Sequence, residues 1–236
     1  SIRRRQRQMC IRDRFISEEI SSLITDSTKI CNEIENIFII GKNDNNMRFK
    51  NFKTEINKCV EKEPVIVSDE EPAFWLYSSG STGEPKGVIH AHGSLLNTFE
   101  TYACKVLGIK ENDVVFSVAK LFFAYGLGNA MTFPMGVGAT TALYPLRPTP
   151  DTVNEVMNLV KPSILFAVPT IYAAMIANLK KNSIKYQNLR RCVSAGEALP
   201  SQIGTDWKNI TGVDILDGVG STETVSYTHL RAHETR

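Results

Sequence analysis

At 236 residues and 42% hydrophobic content, the chain has enough apolar material for one large or two small α/β domains. Its formal charge of +2 is terminal: residues 1–14 hold six Arg and one Asp and residues 225–236 two Arg and one Glu, so residues 15–224 carry −4 and offer no basic face to nucleic acid. No run of about eighteen apolar residues and no signal-peptide pattern occurs, so a cytoplasmic protein without a membrane partner is expected, and five Cys without a C-x-x-C pair argue against a structural zinc site or a disulfide framework.

In chain order, RRRQRQMCIRDR (Arg3–Arg14) comes first and shows no apolar periodicity. It and VSYTHLRAHETR (Val225–Arg236) resemble translated adapter sequence. Residues 1–14 and 225–236 are therefore set aside as non-native, together with His229 and His233 as metal ligands, which leaves 15–224 as the folded region. Strands are predicted at Ile37–Ile40, Phe74–Tyr77, Val114–Phe116, Thr140–Leu143, Ile164–Ala167, Arg191–Val193 and Val213–Leu216. A surface connection with one short helix fills Lys42–Asp69. Helices are predicted over Ser94–Val106, where Leu95, Phe99, Tyr102 and Val106 share a face, and over Pro150–Val160, with Thr149 as N-cap and Pro150 at the first position. Pro169–Leu179 and Pro200–Ile210 begin with proline in the same way. The alternation gives an α/β fold with a largely parallel sheet.

Tyr77–Gly87, YSSGSTGEPKG, follows a strand. Gly80, Gly83 and Gly87 let backbone amides approach an anion, Ser78, Ser79, Ser81 and Thr82 supply hydroxyl donors, and Lys86 adds a cation. Lys86 lies between Pro85 and Gly87 rather than before Ser or Thr, so this is not a Walker loop. SSGSTG alone would be an ordinary flexible hairpin; the continuation Glu84-Pro85-Lys86-Gly87 makes it a triphosphate cradle. In this it resembles the acyl-adenylate-forming superfamily of acyl- and aryl-CoA synthetases, luciferases and peptide-synthetase adenylation domains, a similarity that extends over roughly residues 30–224.

That resemblance implies the partial N-terminal large domain of an adenylate-forming enzyme, made of layered α/β subdomains, with the C-terminal domain and its catalytic lysine absent. It implies ATP, Mg2+ and coenzyme A as co-substrate. Ser78, Ser79, Gly80, Ser81, Thr82, Gly83 and Lys86 are implied at the β- and γ-phosphates. In SAGEALP (Ser194–Pro200), Gly196, Glu197 and Ala198 are implied along the adenine. In DGVGSTE (Asp217–Glu223), read as following a strand, Asp217 and Gly218 are implied at the nucleotide, Thr222 at the α-phosphate and Glu223 on magnesium. Lys86, Thr222 and Glu223 are the implied catalytic residues. The acid-binding segment KLFFAYGLGNAMTFPM (Lys120–Met135) resembles that of benzoate-CoA ligases and related aryl-CoA synthetases, which implies Ala124, Tyr125 and Gly126 beside the ring of an aryl acid.

Together these give a fragment of an ATP-dependent, AMP-forming carboxylic acid:CoA ligase whose partners are a small carboxylic acid, ATP and CoA. Two alternatives remain: an adenylating domain loading a carrier-protein thiol, and a non-catalytic nucleotide-binding remnant. His90 and His92 on one predicted strand share a face, but two ligands do not make a metal site.

Overall fold

The computed structural model describes residues 13–23, 34–42, 49–79, 85–182, 186–224 and 227–230, within two compact units, residues 1–65 and 66–236. In the first unit, β1 (Asp13–Ser17), β2 (Asn36–Ile40) and β3 (Lys50–Asn51) pair in parallel in that order. Alternation sends Ile16, Ile37 and Ile39 into a small core, and Phe15 and Phe38 stack at 4.9 Å on the other face. β1 starts inside the string set aside in the sequence, where Asn36 Nδ2 donates to Asp13 Oδ1 at 2.7 Å. The short helix expected after Lys42 is α1 (Phe52–Ile56), capped by Asn51, whose side chain accepts from the Thr54 amide at 3.0 Å.

The second unit opens on an antiparallel hairpin of β4 (Pro72–Ser79) and β5 (Pro85–Ala91), followed by α2 (His92–Thr98), which continues in wider π turns over Phe99–Leu107. Its main sheet runs in the order β11-β10-β9-β8-β6-β7. Here β6 (Val114–Ser117), β7 (Thr140–Ala142), β8 (Ile164–Ala167), β9 (Arg191–Ser194) and β10 (Ile215–Gly220) are parallel, and β11 (Tyr227–Leu230) adds an antiparallel edge. The crossovers are α3 (Ala124–Leu127) with a π turn over Gly128–Thr132 and α4 (Phe133–Val137), then α5 (Pro150–Val160), α6 (Pro169–Asn182) and α7 (Ser201–Thr211).

Central strands read as unbroken apolar runs because both faces are covered. Phe116, Leu165, Ala167 and Cys192 point into a core with Met157 of α5, Tyr172 and Met175 of α6 and Trp207 of α7. Val115, Ile164, Phe166 and Val193, one residue out of phase, pack with Tyr102, Leu107 and Phe133. Thr149 and Thr152 form the reciprocal cap of α5, and Pro200, expected at the first helical position, is instead the N-cap of α7.

The last parallel strand departs most from its sequence reading. Val213 and Asp214 precede β10, and the DGVG residues expected beyond the strand belong to it: Asp217 pairs with Ser194 of β9, and Asp217–Gly220 pair with β11. Backbone pairing, with β9 and β11 at Asp217 and with β11 alone from Gly218 on, holds a strand there without an apolar side-chain pattern. β7 likewise stops at Ala142, one residue short of the predicted Leu143.

Candidate functional site

Leaving β6, the chain turns to β7 on one side, whereas β8, β9 and β10 continue on the other, so the strand order reverses between β6 and β8. Open α/β sheets bind ligands at the carboxyl ends of strands at such a reversal. A cavity of about 610 Å³ lies there. Its wall comes from residues that follow the parallel strands: Lys120, Phe123, Ala124 and Tyr125 after β6, Pro148 after β7, Val168, Thr170 and Ile171 after β8, Ala195 and Gly196 after β9, and Ser221 and Thr222 after β10, where Gly220 is the strand's last residue.

The segment from Lys120 to Met135 is held tightly around Tyr125. The Tyr125 hydroxyl lies 3.0 Å from both the Ala167 and Val193 carbonyl oxygens, which share it as acceptors, and its ring stands edge-on to Phe166 at 6.3 Å. Gly126 is buried against main chain: a Cβ there would sit 2.0 Å from the Lys120 carbonyl oxygen. Ala124 and Tyr125 therefore face the cavity, and Gly126 is the close-packing residue behind them.

In the second motif Gly196 adopts φ 93°, a left-handed conformation that disfavours any side chain, and Glu197 and Ala198 are exposed beyond it. Asp217 Oδ2 accepts from the Leu199 amide at 3.2 Å and so ties the second motif to the third. Gly218 is buried within β10, and Thr222 lines the cavity half-buried. Glu223 is exposed; a hydrogen bond from Ser221, aided by its own backbone amide and the nearby His90, holds its carboxyl below the ordinary value.

The described residues of the proposed phosphate loop lie at the end of β4 and the start of β5. Ser78 and Lys86 face each other across the ladder, as do Ser79 and Pro85, and Lys86 is exposed. Gly80, Ser81, Thr82, Gly83 and Glu84 lie outside the described residues. Gly87 answers to packing, since a Cβ there would meet the Trp75 ring at 2.9 Å. The paired histidines also separate. β5 ends at Ala91, so His90 stacks on Phe74 at 4.9 Å in a buried position while His92 opens α2. Among the described residues no group of three or more His, Cys, Asp or Glu is gathered closely enough to hold a metal by itself.

Residues 12–236 match the family described as AMP-binding enzyme. The chain belongs to the AMP-binding enzyme family. It is 56% identical over 154 residues to the benzoate-CoA ligase of Thauera aromatica, covering 65% of the chain and 29% of that protein. It is 55% identical over 161 residues to the 4-hydroxybenzoate-CoA/benzoate-CoA ligase of Rhodopseudomonas palustris, covering 68% and 30%. Its fold superposes on the anthranilate CoA ligase AuaEII, solved with anthranoyl-AMP, at a TM-score of 0.87 and 34% identity over 95% of this chain and 44% of that one. The chain thus spans about three-tenths of the length of these curated relatives. The family and the α/β fold with a parallel sheet agree with the motifs read from the sequence.

Pro148, Val168, Thr170 and Ile171 lie in no motif, and Lys120 opens the Lys120–Met135 segment without a role of its own in the sequence reading. The signal that finds them is positional: each closely follows the last residue of a parallel strand. Lys120 is the only charged side chain lining the cavity among the described residues, and burial lowers its pKa from the ordinary lysine value.

Proposed function

We propose that this chain works in an ATP-dependent, AMP-forming carboxylic acid:CoA ligase that activates benzoate or a related aryl acid. The observation that carries the reading is the cavity itself, walled by Phe123, Ala124 and Tyr125 at one part and bordered by Gly196 and Thr222 at another, so that one space suits both a flat ring and a nucleotide. The activities of the two curated relatives, and the anthranoyl-AMP bound to AuaEII, support an aryl acid. Both relatives are CoA ligases, which favours CoA over a carrier-protein thiol as the acceptor.

A carboxylate is a poor acyl donor because oxide does not leave. In the proposed reaction its oxygen attacks the α-phosphorus of ATP, pyrophosphate departs, and the CoA thiol then displaces AMP from the acyl-AMP. The protein's part is orientation and charge neutralisation. Tyr125, fixed by two carbonyls, holds the ring; Thr222 is assigned to the α-phosphate and Lys86, with Thr82 of the same motif, to the β- and γ-phosphates. An ionised, exposed Glu223 fits Mg2+, which binds through few carboxylates plus substrate phosphates and would neutralise phosphate charge there. A cytoplasmic setting goes with this proposal; among the described residues no helix is long and apolar enough to cross a membrane.

An acid that leaves the ring space empty forgoes about 25 cal/mol for each Å² of unburied apolar surface, and a ring of about 100 Å² is worth roughly 2 to 3 kcal/mol. Benzoate is therefore expected to outcompete acetate by one to two orders of magnitude in CoA-thioester formation, and to be preferred over palmitate. Acetate or palmitate turning over better than benzoate would overturn the aryl assignment. Lys86→Ala is expected to slow ATP-pyrophosphate exchange by about 1.5 to 3 kcal/mol, the range for a hydrogen bond to a charged group. Unchanged exchange would remove Lys86 from phosphate binding.

A further inference from the structure

Lys120 stands at the cavity rim between Ala119 and Leu121, half-buried, and among the described residues it has no ion-pair partner. Its ammonium instead donates to the main-chain carbonyls of Tyr144 and Leu146, 24 and 26 residues further on, and lies 5.3 Å from the centre of the Tyr144 ring. Both carbonyls belong to the segment that leaves β7 and continues through Pro148, a cavity-wall residue, to Thr149, the cap of α5.

That segment has little else to hold it. Residues 143–149 form no helix or strand, and among the described residues no main-chain hydrogen bond outside the regular elements involves 143–148. Leu143 and Leu146 are exposed, so of its large side chains Tyr144 alone packs on the core. A half-buried ammonium needs hydrogen-bond acceptors, and two carbonyls with an aromatic face supply them without a carboxylate. The arrangement serves both partners: the cation is solvated by the main chain, and the main chain is fixed by the cation.

We propose that Lys120 is a positioning residue that clamps residues 143–149 to the cavity rim, fixes the Pro148 part of the wall, and thereby helps set the preference for a ring over a small acid. The specificity part rests on the aryl-acid reading above; the clamp does not. A neutral aliphatic side chain at position 120 fills the rim but offers no donor. The wall segment would then be free to move away from the ring space, and a ligand that touches the wall would feel the loss.

The test compares wild type with Lys120→Met, Lys120→Gln and Lys120→Arg in two measurements. Proteinase K cleavage within residues 143–149, mapped by mass spectrometry, reads the clamp directly. Affinities for benzoyl- and acetyl-adenosine sulfamates, non-hydrolysable stand-ins for acyl-AMP, read its consequence. Lys120→Met is expected to be cut faster and to bind the benzoyl compound about tenfold more weakly, the scale of one charge-assisted hydrogen bond, with the acetyl compound nearly unaffected. Lys120→Arg should keep both properties and Lys120→Gln should fall between. Unchanged cleavage in folded Lys120→Met or Lys120→Gln overturns the clamp. Faster cleavage with equal loss for both compounds, or no loss, overturns the specificity role. A wild-type protein that binds the acetyl compound as well as the benzoyl one sinks the aryl reading, and the specificity role with it, while the cleavage result still decides the clamp.

Discussion

Gly126→Ala is expected to destabilise the protein by about 3 kcal/mol, the upper end of what overpacking usually costs. The added methyl would lie 2.0 Å from the Lys120 carbonyl oxygen, 2.5 Å from its carbonyl carbon and 2.6 Å from the Ala119 carbonyl oxygen. All three are main-chain atoms, so no side chain can swing aside to make room. Relief requires α3 to move away from the turn that leaves β6. That movement would pull the Tyr125 hydroxyl off the Ala167 and Val193 carbonyls and displace Lys120, so acid binding should weaken together with stability. Gly204→Ala in α7 is the control, because its Cβ would make only an ordinary 3.7 Å contact with Leu199 and alanine favours a helix interior. Denaturant midpoints for the two variants should therefore move in opposite directions. A Gly126→Ala protein as stable as wild type would mean that α3 is not packed on Ala119 and Lys120.

The parts of this fold that the sequence announces are those whose physics is local. Ile164–Ala167 reads as a strand because four apolar residues in a row have two cores to fill, and α5 reads to the residue because its cap, proline and first-turn acid are adjacent in the chain. β10 is harder to read because Asp217-Gly218-Val219-Gly220 owes its extended state to partners in β9 and β11 rather than to its own side chains. The site divides in the same way. Ala124, Tyr125, Gly196 and Thr222 sit in motifs and do meet in one cavity, whereas Lys120, a lysine at the edge of an apolar run, looks like a solvated residue until the chain returns with the Tyr144 and Leu146 carbonyls. Asp113 and Arg190 are equally silent: 77 residues separate them, and no periodicity links them.

Removing the Asp113 carboxylate is expected to cost about 3 kcal/mol, at the lower end for breaking a buried ion pair because Arg190 keeps a third of its side chain in water. Asp113 sits just before β6 and is 3% exposed. It accepts from Ser163 Oγ at 2.7 Å, from Arg190 Nε at 2.8 Å and also from Arg190 Nη2, and from the Lys110 amide at 2.8 Å. Ser163 and Arg190 immediately precede β8 and β9, so one carboxylate ties together the amino ends of three strands whose carboxyl ends shape the cavity. Burial by itself would raise the Asp113 carboxyl, but the hydrogen bonds from Arg190, Ser163 and the Lys110 amide outweigh it, and the group stays below its ordinary value. A carboxyl lowered by folding stabilises the protein above its unfolded value of about 3.9, and that contribution is lost as pH falls through the folded value. The stability gap between wild type and Asp113→Asn should therefore be constant from about pH 5 to 7 and narrow as the pH drops below about 4. Equilibrium urea unfolding of both proteins across that range checks it, since other titrating carboxylates are common to the pair and cancel. A gap that is absent at pH 7, or that widens in acid, would show that the Asp113 carboxylate is not what joins these three strands.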